Sequence, residues 1–492
     1  MANELKDEFE TEIINKDIKI YACGDLHGDI FAAIIALRDC CKVIKKKNGF
    51  GFDQNKIDSD LIKFMEMDLE DKNYIDDLNY EWIGGNSHVV FCGDLIDNSR
   101  SGDDTPGMYF LEEIKLLKFI NAIYKQANNK GGKIIKLCGN HDVWNLFNFN
   151  EIIDENIKRY INPQDYQTDD GKNFFKKNFI LKNGKYNRLT FFTHEEGRKL
   201  YYTGGCGLMA KINDFVFVHG SILDDKLTDI KNLNKRFLNT LKTNNLNKDE
   251  CKIDYLSKEE IDFLQGFGKQ NVNGQERESI LWDRSIGDPK IYKNNQIDID
   301  DTKYLEHCSE IKKRINSFCE ESLPCNEKTR IVVGHCPQHF NQINNPGQEN
   351  FTFGNLESYD DMTEILTAPV FRGKREREPT KHNQAGIYFG ITTNCSIKNN
   401  DDPLIYKIDV AMSKAFKIED KTLFKSKFIE DYKSMTPQVL SIISKGDDYE
   451  VKIIRSRLAN TIIHINDPKI NEYFKEDDVL DLISEDGKKK RK

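Results

Sequence analysis

The segment Gly24-Asp25-Leu26-His27-Gly28-Asp29 follows the apolar run Ile18–Cys23, which is rich in β-branched and aromatic residues. Such a run predicts a β-strand, and the glycine-rich polar segment behind it predicts a loop at the carboxyl end of that strand. Four further segments repeat this construction, in which a short apolar run precedes a glycine or a histidine with polar neighbours. They are Gly93-Asp94-Leu95-Ile96-Asp97 after Val89–Cys92, Gly139-Asn140-His141-Asp142 after Ile134–Cys138, His219-Gly220 after Phe215–Val218, and Gly334-His335 after Ile331–Val333.

These five loops supply side chains of the types that commonly bind metals. Because ligand sites on sheets with crossover helices collect at the carboxyl edge of the strands, we expect the polar residues of the loops to meet there. Carboxylate and imidazole groups suit divalent ions of intermediate hardness such as Mn, Fe or Zn. The candidate ligands are Asp25, His27, Asp94, Asn140, His219 and His335. His141 and Asp97 are left over, and a histidine that binds no metal can act as an acid catalyst beside a pair of metal ions.

The order and strand context of the motifs resemble those of the calcineurin-like metallophosphoesterase superfamily, which includes the serine/threonine phosphoprotein phosphatases and bacterial-type relatives. The resemblance extends from about Ile18 to Ser413. It implies an α/β (α+β) fold, the four-layer α/β/β/α sandwich, in which two mixed sheets pack face to face with helices outside. It also implies a phosphoester hydrolase that holds two divalent metal ions, with Mn²⁺ expected and Fe or Zn as alternatives.

The resemblance implies a role for each matching residue. Asp25 and His27 would bind the first metal, and Asp94 would bridge both metals. Asn140, His219 and His335 would bind the second metal. His141 would be the general acid, oriented by Asp97, and a metal-bound hydroxide would attack phosphorus directly, without a phospho-enzyme.

The phosphate pocket departs from the pattern of eukaryotic protein phosphatases. Asn98 stands where those enzymes carry a phosphate-clamping arginine, and Asp142 stands where they usually carry glutamate. Arg100 is one candidate replacement for the clamp. Arg284, in the segment Ile280-Leu281-Trp282-Asp283-Arg284, is the other, because a guanidinium presents paired donors to phosphate oxygens. The competing interpretation of Arg284 is a surface ion pair with a nearby aspartate.

Three functions are compatible with these motifs. A protein phosphatase acting on a phosphorylated protein fits the motif order best. A dinucleoside tetraphosphate hydrolase or phosphodiesterase remains open, because the clamp arginine is absent and the third motif ends in aspartate. A catalytically idle scaffold or virion protein that keeps the fold is the third, and metal content distinguishes it from the two enzymes. Regulatory partners are not indicated.

Composition restricts the partners and the compartment. The net charge of −9 argues against tight nucleic-acid binding by the whole chain. The acidic, polar start Met1–Glu12 does not resemble a signal peptide, and the uncharged run Ile30–Leu37 is too short to span a bilayer. These features predict a non-secreted cytoplasmic or nucleocytoplasmic protein without a membrane partner. The basic run Lys488–Lys492 is either a nuclear-import tag or a disordered tail. The cysteines are scattered, so we expect small buried hydrophobes rather than disulfides.

The domain organisation follows from the motif positions. We expect an N-terminal tail at residues 1–17, one domain at residues 18–456, and a C-terminal extension with the basic tail at residues 457–492. Insertions are expected near residues 47–85, 145–187 and 223–325. Helices are predicted over Asp29–Lys46 and from about Pro106 to Asn128. Four late strands are expected to complete the second sheet, at Ile387–Ile391, Leu404–Val410, Gln438–Ile443 and Val451–Ile454.

Overall fold

A computed structural model provides the structure, and it describes most of the motif-bearing chain. The described residues are 8–47, 71–97, 110–147, 191–222, 229–243, 254–266, 270–272, 275–277, 279–286, 301–321, 323, 325–336, 339–341, 363–367, 387–389, 391–396, 403–410, 412 and 437–456.

The described chain contains strands, α-helices and one π-helical turn. The strands are β1 (Glu12–Ile13), β2 (Lys19–Cys23), β3 (Ile44–Lys46), β4 (Tyr80–Trp82), β5 (His88–Cys92), β6 (Lys133–Leu137), β7 (Met209–Ile212), β8 (Phe215–Val218), β9 (Gln270–Val272), β10 (Gln275–Arg277), β11 (Arg330–Val333), β12 (His339–Asn341), β13 (Thr363–Thr367), β14 (Ile387–Phe389), β15 (Thr392–Ser396), β16 (Pro403–Lys407), β17 (Gln438–Lys445) and β18 (Asp448–Ser456). The α-helices are α1 (Ile30–Ile35), α2 (Phe110–Asn128), α3 (Asn140–Leu146), α4 (Glu195–Tyr202), α5 (Ile230–Lys242), α6 (Lys258–Leu264) and α7 (Asp301–Glu321). The π-helical turn, Ala36–Cys40, directly continues α1.

The first sheet has six strands in the order β13-β18-β17-β2-β5-β6. Strands β2, β5 and β6 are parallel to one another, whereas β17 and β18 are antiparallel to their neighbours. Residues 20–23, 88–92 and 134–137 are almost completely buried, as expected for central parallel strands. Three of the five motif loops therefore leave this sheet at the same edge.

The second sheet also has six strands, in the order β1-β7-β8-β11-β16-β15. Strands β8, β11 and β16 are parallel, whereas β7 is antiparallel to β8 and β15 is antiparallel to β16. Residues 12–13, which belong to the expected N-terminal tail, form the edge strand β1 beside β7. The remaining two motif loops follow β8 and β11.

The two sheets pack face to face, and contacts at both ends of β8 join them. At the start of β8, the ring of Phe215 lies 5.0 Å from the ring of Tyr449 in β18 of the first sheet. After the end of β8, His219 Nδ1 lies 2.9 Å from the carbonyl oxygen of Cys92 at the end of β5. The predicted α/β architecture with two mixed sheets is confirmed. The five motif strands are also confirmed, with bounds that shift by at most one residue.

Two predictions about the elements around these sheets are wrong. The helix expected over Asp29–Lys46 ends early, because Lys42 adopts a left-handed conformation with φ 54° and β3 then pairs with β4. Strands β17 and β18 do not complete the second sheet. They join the first sheet through β2, and among the described strands β14 pairs with β12 alone. Strand periodicity indicates which residues face a core, but it does not identify the neighbouring strand.

The expectation that the cysteines form no disulfides is also wrong. Cys308 in α7 is bonded to Cys395 in β15, and Cys319 is bonded to Cys325. The first bond joins residues 87 positions apart, so no local spacing could have indicated it. Cysteines at the ends of the motif strands are free and buried, as predicted; they are Cys23, Cys92 and Cys138. Among the described helices, none is long and apolar enough to span a bilayer.

Candidate metal centre

The five motif loops converge where the parallel strands of both sheets end. Every one of the eight residues predicted from the motifs is at most 5% exposed. They are Asp25, His27, Asp94, Asp97, Asn140, His141, His219 and His335. This buried polar cluster lies between two apolar sheets, and buried polar groups of this kind require partners or a bound ion.

Asp94 lies at the centre of the cluster. Its Oδ2 atom is 3.5 Å from His27 Nε2, and its Oδ1 atom is 3.4 Å from His219 Nε2. Asp94 belongs to two groups whose ligand atoms lie within 4.8 Å of one another, one with His27 and His141 and the other with His219 and His335. Burial raises the pKa of Asp94, but the charges of the histidines, His219 first, outweigh burial and hold it well below its usual range. A single carboxylate thus faces two sets of ligands.

His27 and His219 present the same ring nitrogen to Asp94. His27 Nδ1 lies 3.1 Å from the carbonyl oxygen of Asp97, and His219 Nδ1 lies 2.9 Å from that of Cys92. Because a carbonyl oxygen can only accept a hydrogen bond, each Nδ1 atom donates, and in the neutral ring each Nε2 atom then carries the lone pair that binds a metal. Backbone carbonyls commonly orient metal-binding histidines in this way.

Asn140 brings the third motif to the same centre. Its Oδ1 atom lies 2.8 Å from His219 Nε2. Gly139, which precedes it, has no space for a side chain, because a Cβ atom there would lie 2.1 Å from Asp94 Oδ1. The glycine of the third motif therefore lets the Asn140 loop approach the Asp94 carboxylate.

Asp25 lies near both His27 and His219, since its Oδ1 atom is 3.9 Å from His219 Nδ1. Its Oδ2 atom is 3.9 Å from His27 Nε2, and its Oδ1 atom accepts a hydrogen bond of 3.3 Å from the backbone N–H of His335. Asp25 thereby links the first motif to the fifth. It belongs to neither of the two compact groups, although it faces His27, with which it was predicted to share a metal.

His335 is oriented by the segment that carries Arg284. Its Nε2 atom lies 3.2 Å from both the carbonyl oxygen of Trp282 and the Nε atom of Arg284. Nδ1 is therefore the ring nitrogen available to a metal. Burial and then the neighbouring His219 lower the pKa of His335 well below its ordinary value, which favours the neutral ring that a metal requires.

His141 and Asp97 form the predicted pair. His141 Nδ1 is hydrogen bonded to Asp97 Oδ2, and His141 Nε2 lies 3.8 Å from Asp94 Oδ2. The backbone N–H of Asp97 donates to Glu113 Oε1 at 2.7 Å, which fixes the position of the aspartate. The arrangement gives His141 a defined orientation toward the centre, as an acid catalyst requires. Its Nε2 atom also lies close enough to His27 and Asp94 to act as a ligand.

The backbone of these loops is unusual at the functional residues. His27, Asp94, Asp97 and His335 all adopt left-handed conformations, with φ of 42°, 49°, 76° and 65°. Residues other than glycine seldom adopt this conformation, and such strain concentrates at functional sites. The neighbouring Gly93 has φ 96°, and a Cβ atom there would lie 2.6 Å from His219 Nδ1.

Asp142 has a structural role that could not be predicted from the sequence. Its Oδ1 atom accepts hydrogen bonds from the backbone N–H groups of Leu95 and Ile96, at 2.9 and 3.1 Å, and from the Tyr201 hydroxyl at 2.9 Å. Its Oδ2 atom accepts from the backbone N–H of Gly139 at 2.8 Å. Burial, followed by the nearby Asp94, raises the pKa of Asp142 to about 7. The side chain ties the second motif loop to the third.

The two predicted phosphate contacts differ in outcome. Arg284 is exposed and reaches His335 at the rim of the centre. The nearby Asp283 forms an ion pair of 3.4 Å with Arg314. Arg100 and Asn98 lie outside the described residues.

The donor set fits divalent metal ions. His219 Nε2 and Asn140 Oδ1 face each other at 2.8 Å, and in the neutral ring of His219 both atoms have lone pairs that suit a shared cation. Asp94 shares one group of possible ligands with His27 and His141, and a second group with His219 and His335.

Comparisons with known proteins agree with this chemistry. The family model described as calcineurin-like phosphoesterase matches residues 18–299, which is more than half of the chain. Shewanella-like protein phosphatase 1 of Plasmodium berghei is 23% identical over 66% of this chain and 63% of its own length. Shewanella-like protein phosphatase 2 of Arabidopsis thaliana is 36% identical over 14% of this chain and 15% of its own. This chain therefore matches less than two thirds of the length of either relative.

Solved structures show a weaker likeness. The cold-active protein-tyrosine phosphatase of a psychrophilic Shewanella species is 20% identical, with a TM-score of 0.37 over 69% of this chain and 71% of that one. A protein serine/threonine phosphatase from Saccharomyces cerevisiae is 15% identical, with a TM-score of 0.22 over 44% of each chain.

Proposed function

This chain belongs to the calcineurin-like phosphoesterase family, and on that premise we propose that it hydrolyses phosphate monoesters on phosphoproteins with two divalent metal ions. The family predicted from the motifs is thereby confirmed. The observation that carries the proposal is the position of Asp94, whose two carboxylate oxygens face two separate sets of histidines. The names of the Arabidopsis and Plasmodium relatives, both protein phosphatases, support a phosphoprotein as the substrate.

The proposed ligands divide into two sets around Asp94. Asp25 and His27 would hold one metal, and Asn140, His219 and His335 would hold the other. Two such ions, when bound, supply Lewis acidity to the phosphoryl oxygens and lower the pKa of an attacking water. The burial of every ligand strengthens the electrostatic interactions in the centre.

His141 is proposed to move the proton that the departing group needs. Its Nδ1–H is held by Asp97, so Nε2 is the atom that faces the centre and can deliver a proton to the leaving oxygen. Asp97 would also stabilise the positive charge of the protonated ring. Positioned acids of this kind contribute about 10²- to 10⁴-fold to a rate.

Arg284 is proposed to contact the phosphate group. With a metal on His335 Nδ1, Nε2 would be protonated and would donate to the Trp282 carbonyl oxygen, which lies 3.2 Å away. The Arg284 guanidinium is then no longer needed as a donor to that ring nitrogen, and its paired N–H groups can turn to phosphate oxygens.

Hydrolysis of p-nitrophenyl phosphate with and without Mn²⁺ tests the proposal. We expect Mn²⁺-dependent turnover that falls by about a hundredfold or more in Asp94→Asn. The matched control is Asp447→Asn, which makes the same change at a side chain that is 96% exposed. Metal content is measured for every variant.

A panel of other substrates, tested under the same conditions, separates the alternatives. Turnover of dinucleoside tetraphosphates or phosphodiesters, without turnover of phosphopeptides, would replace the phosphoprotein substrate. Absence of both turnover and bound metal would contradict the enzyme and support the idle scaffold.

A further inference from the structure

The segment Ser279–Ser285 carries Arg284 and is folded on itself. The backbone N–H groups of Trp282 and Asp283 donate to the carbonyl oxygen of Ser279, at 2.9 and 2.8 Å. At its start, the carbonyl oxygen of Ile280 accepts a 2.8 Å hydrogen bond from the backbone N–H of Ser221, in the loop that follows His219. The beginning of the segment is therefore fixed to the fourth motif.

The end of the segment is fixed by Asp283 and Ser285. The Asp283 carboxylate accepts hydrogen bonds of 2.8 Å from both the backbone N–H and the hydroxyl of Ser285. These bonds span Arg284, so the backbone of this arginine is held on both sides. The side chain of Asp283 is 16% exposed and is therefore partly shielded from water.

Arg314, on helix α7, binds both of these residues. Its Nη1 atom donates to Ser285 Oγ at 2.9 Å and to Asp283 Oδ2 at 3.4 Å. Its Nη2 atom donates to Glu310 Oε1 at 2.6 Å, one turn earlier on the same helix. The guanidinium thus joins α7 to the residues on either side of Arg284, and its side chain is only 15% exposed.

Helix α7 is itself attached to the sheet that ends in His335. Cys308 in α7 is bonded to Cys395 in β15. β15 pairs with β16, and β16 pairs with β11, which His335 follows. Arg314 and His335 therefore belong to one connected body, and Arg284 is held between them.

We propose that Arg314 is a positioning residue: by binding Asp283 and Ser285, it fixes Arg284 at the rim of the metal centre, where the substrate phosphate binds. This inference rests on the proposed function, because it assumes a phosphate at the centre. Arg314 touches neither substrate nor metal ligand and acts only through Arg284. Its effect therefore falls on phosphate binding and not on metal binding.

Calorimetric titration of the Mn²⁺-loaded protein with inorganic phosphate tests the inference. Arg314→Met is expected to weaken phosphate binding by about tenfold at unchanged metal content. Lys312→Met removes the same charge from an exposed position two residues away and is expected to change nothing. With p-nitrophenyl phosphate, KM should rise together with the phosphate Kd, while kcat falls less. Arg314→Lys should restore part of the binding, because an ammonium still reaches one of the two acceptors.

The double variant Arg314→Met/Arg284→Met decides whether Arg314 acts through Arg284. We expect it to bind phosphate no more weakly than Arg284→Met alone, because coupled residues are not additive. Additive losses would overturn the positioning role. Should Arg314→Met fail to fold, Ser285→Ala removes one acceptor of the same guanidinium and is expected to weaken phosphate binding in the same direction.

The two hypotheses fail in different ways. If the unaltered protein binds no phosphate in the presence of Mn²⁺, the proposed function fails and the positioning role fails with it. If the unaltered protein binds phosphate and Arg314→Met binds it equally well, only the positioning role is wrong. A lower unfolding temperature in Arg314→Met, with unchanged phosphate binding, would identify Arg314 as a stabilising residue of α7 alone.

Discussion

The Nε2 atom of His219 lies 2.8 Å from the Oδ1 atom of Asn140, although the two residues follow strands of different sheets. His219 Nδ1 donates to the carbonyl oxygen of Cys92, so in the neutral ring its Nε2 atom and the amide oxygen both present lone pairs to a metal ion. A metal ion bound by both atoms takes the place of the proton that otherwise joins them. The second sheet and the first sheet are therefore expected to be joined more firmly when a metal is present.

Mn²⁺ is accordingly expected to raise the unfolding temperature of the protein. A ligand that binds only the folded state at about 100 times its Kd stabilises it by about 2.7 kcal/mol. Asn140→Leu removes the amide oxygen that faces His219 Nε2, so it should reduce the increase in unfolding temperature that Mn²⁺ causes. Asn129→Leu, at an exposed position after α2, is the control and should show the same Mn²⁺-dependent increase as the unaltered protein. If neither Mn²⁺ nor a chelator changes the unfolding temperature, the proposal of a metal centre is contradicted.

His141→Ala is expected to lower turnover while both metals stay bound. A general acid matters most when the leaving group is a poor one, so the loss should be larger with a phosphoserine peptide than with p-nitrophenyl phosphate. We expect about 10²- to 10⁴-fold with the peptide. Asp97→Asn should show the same dependence on the leaving group, because it orients the ring.

Metal content decides between the two interpretations of His141. Its Nε2 atom lies within the ligand group of His27 and Asp94, so the geometry also permits a bond to metal. If His141→Ala loses metal together with activity, His141 is a ligand and the acid role is wrong.

Asp142 is expected to be essential to the loops around the centre. Asp142→Asn replaces one carboxylate oxygen with an NH₂ group, which then faces N–H donors instead of accepting from them. We expect a loss of about 3 kcal/mol or more in the free energy of unfolding. Tyr201→Phe removes only one of the four donors to Asp142 and should cost about 1 kcal/mol. Equal losses in urea unfolding of the two variants would contradict this account.

Much of the centre could be predicted from the sequence, because it is encoded in local patterns. The apolar run Phe215–Val218 became β8 with the same bounds, and His219 follows it as expected. Parallel strands bring such loops to one edge, so the chain order of Asp94 and Asn140 was enough to place them together. The left-handed backbone at Asp94 was not predictable, since glycine and not aspartate is the usual signal for that conformation.

The remainder depends on contacts between distant parts of the chain. Glu113 accepts from the backbone of Asp97, and nothing in the pattern of α2 distinguishes this glutamate from its neighbours. The placement of β17 beside β2 depends on which edge of the first sheet is available, and strand periodicity carries no such information. The contact of Arg314 with Asp283 could not be predicted from the sequence either, because 31 residues separate the two.

Tyr449 is expected to contribute stability without affecting activity. Its hydroxyl donates to Asp214 Oδ2 at 2.7 Å, and its ring packs on Phe215 at the end of β8 that is opposite to the centre. Tyr449→Phe keeps the ring contact and removes the hydrogen bond, which costs about 1 kcal/mol. Urea unfolding should shift accordingly, while kcat and KM stay the same. A change in either kinetic constant would show that the two ends of β8 are coupled.

The Cys308–Cys395 bond is expected to stabilise the part of the second sheet that supports α7. Closing a loop between residues 87 positions apart lowers the entropy of the unfolded chain. The chain-entropy relation gives about 4.6 kcal/mol for a loop of this size. Peptide mapping by mass spectrometry without reductant should find Cys308 joined to Cys395. The variant Cys308→Ser/Cys395→Ser should unfold at a lower urea concentration, as should the reduced protein.

Because α7 also carries Arg314, the same variant should bind inorganic phosphate more weakly at full metal content. Unchanged phosphate binding after loss of this bond would show that Arg314 holds Asp283 without help from the disulfide.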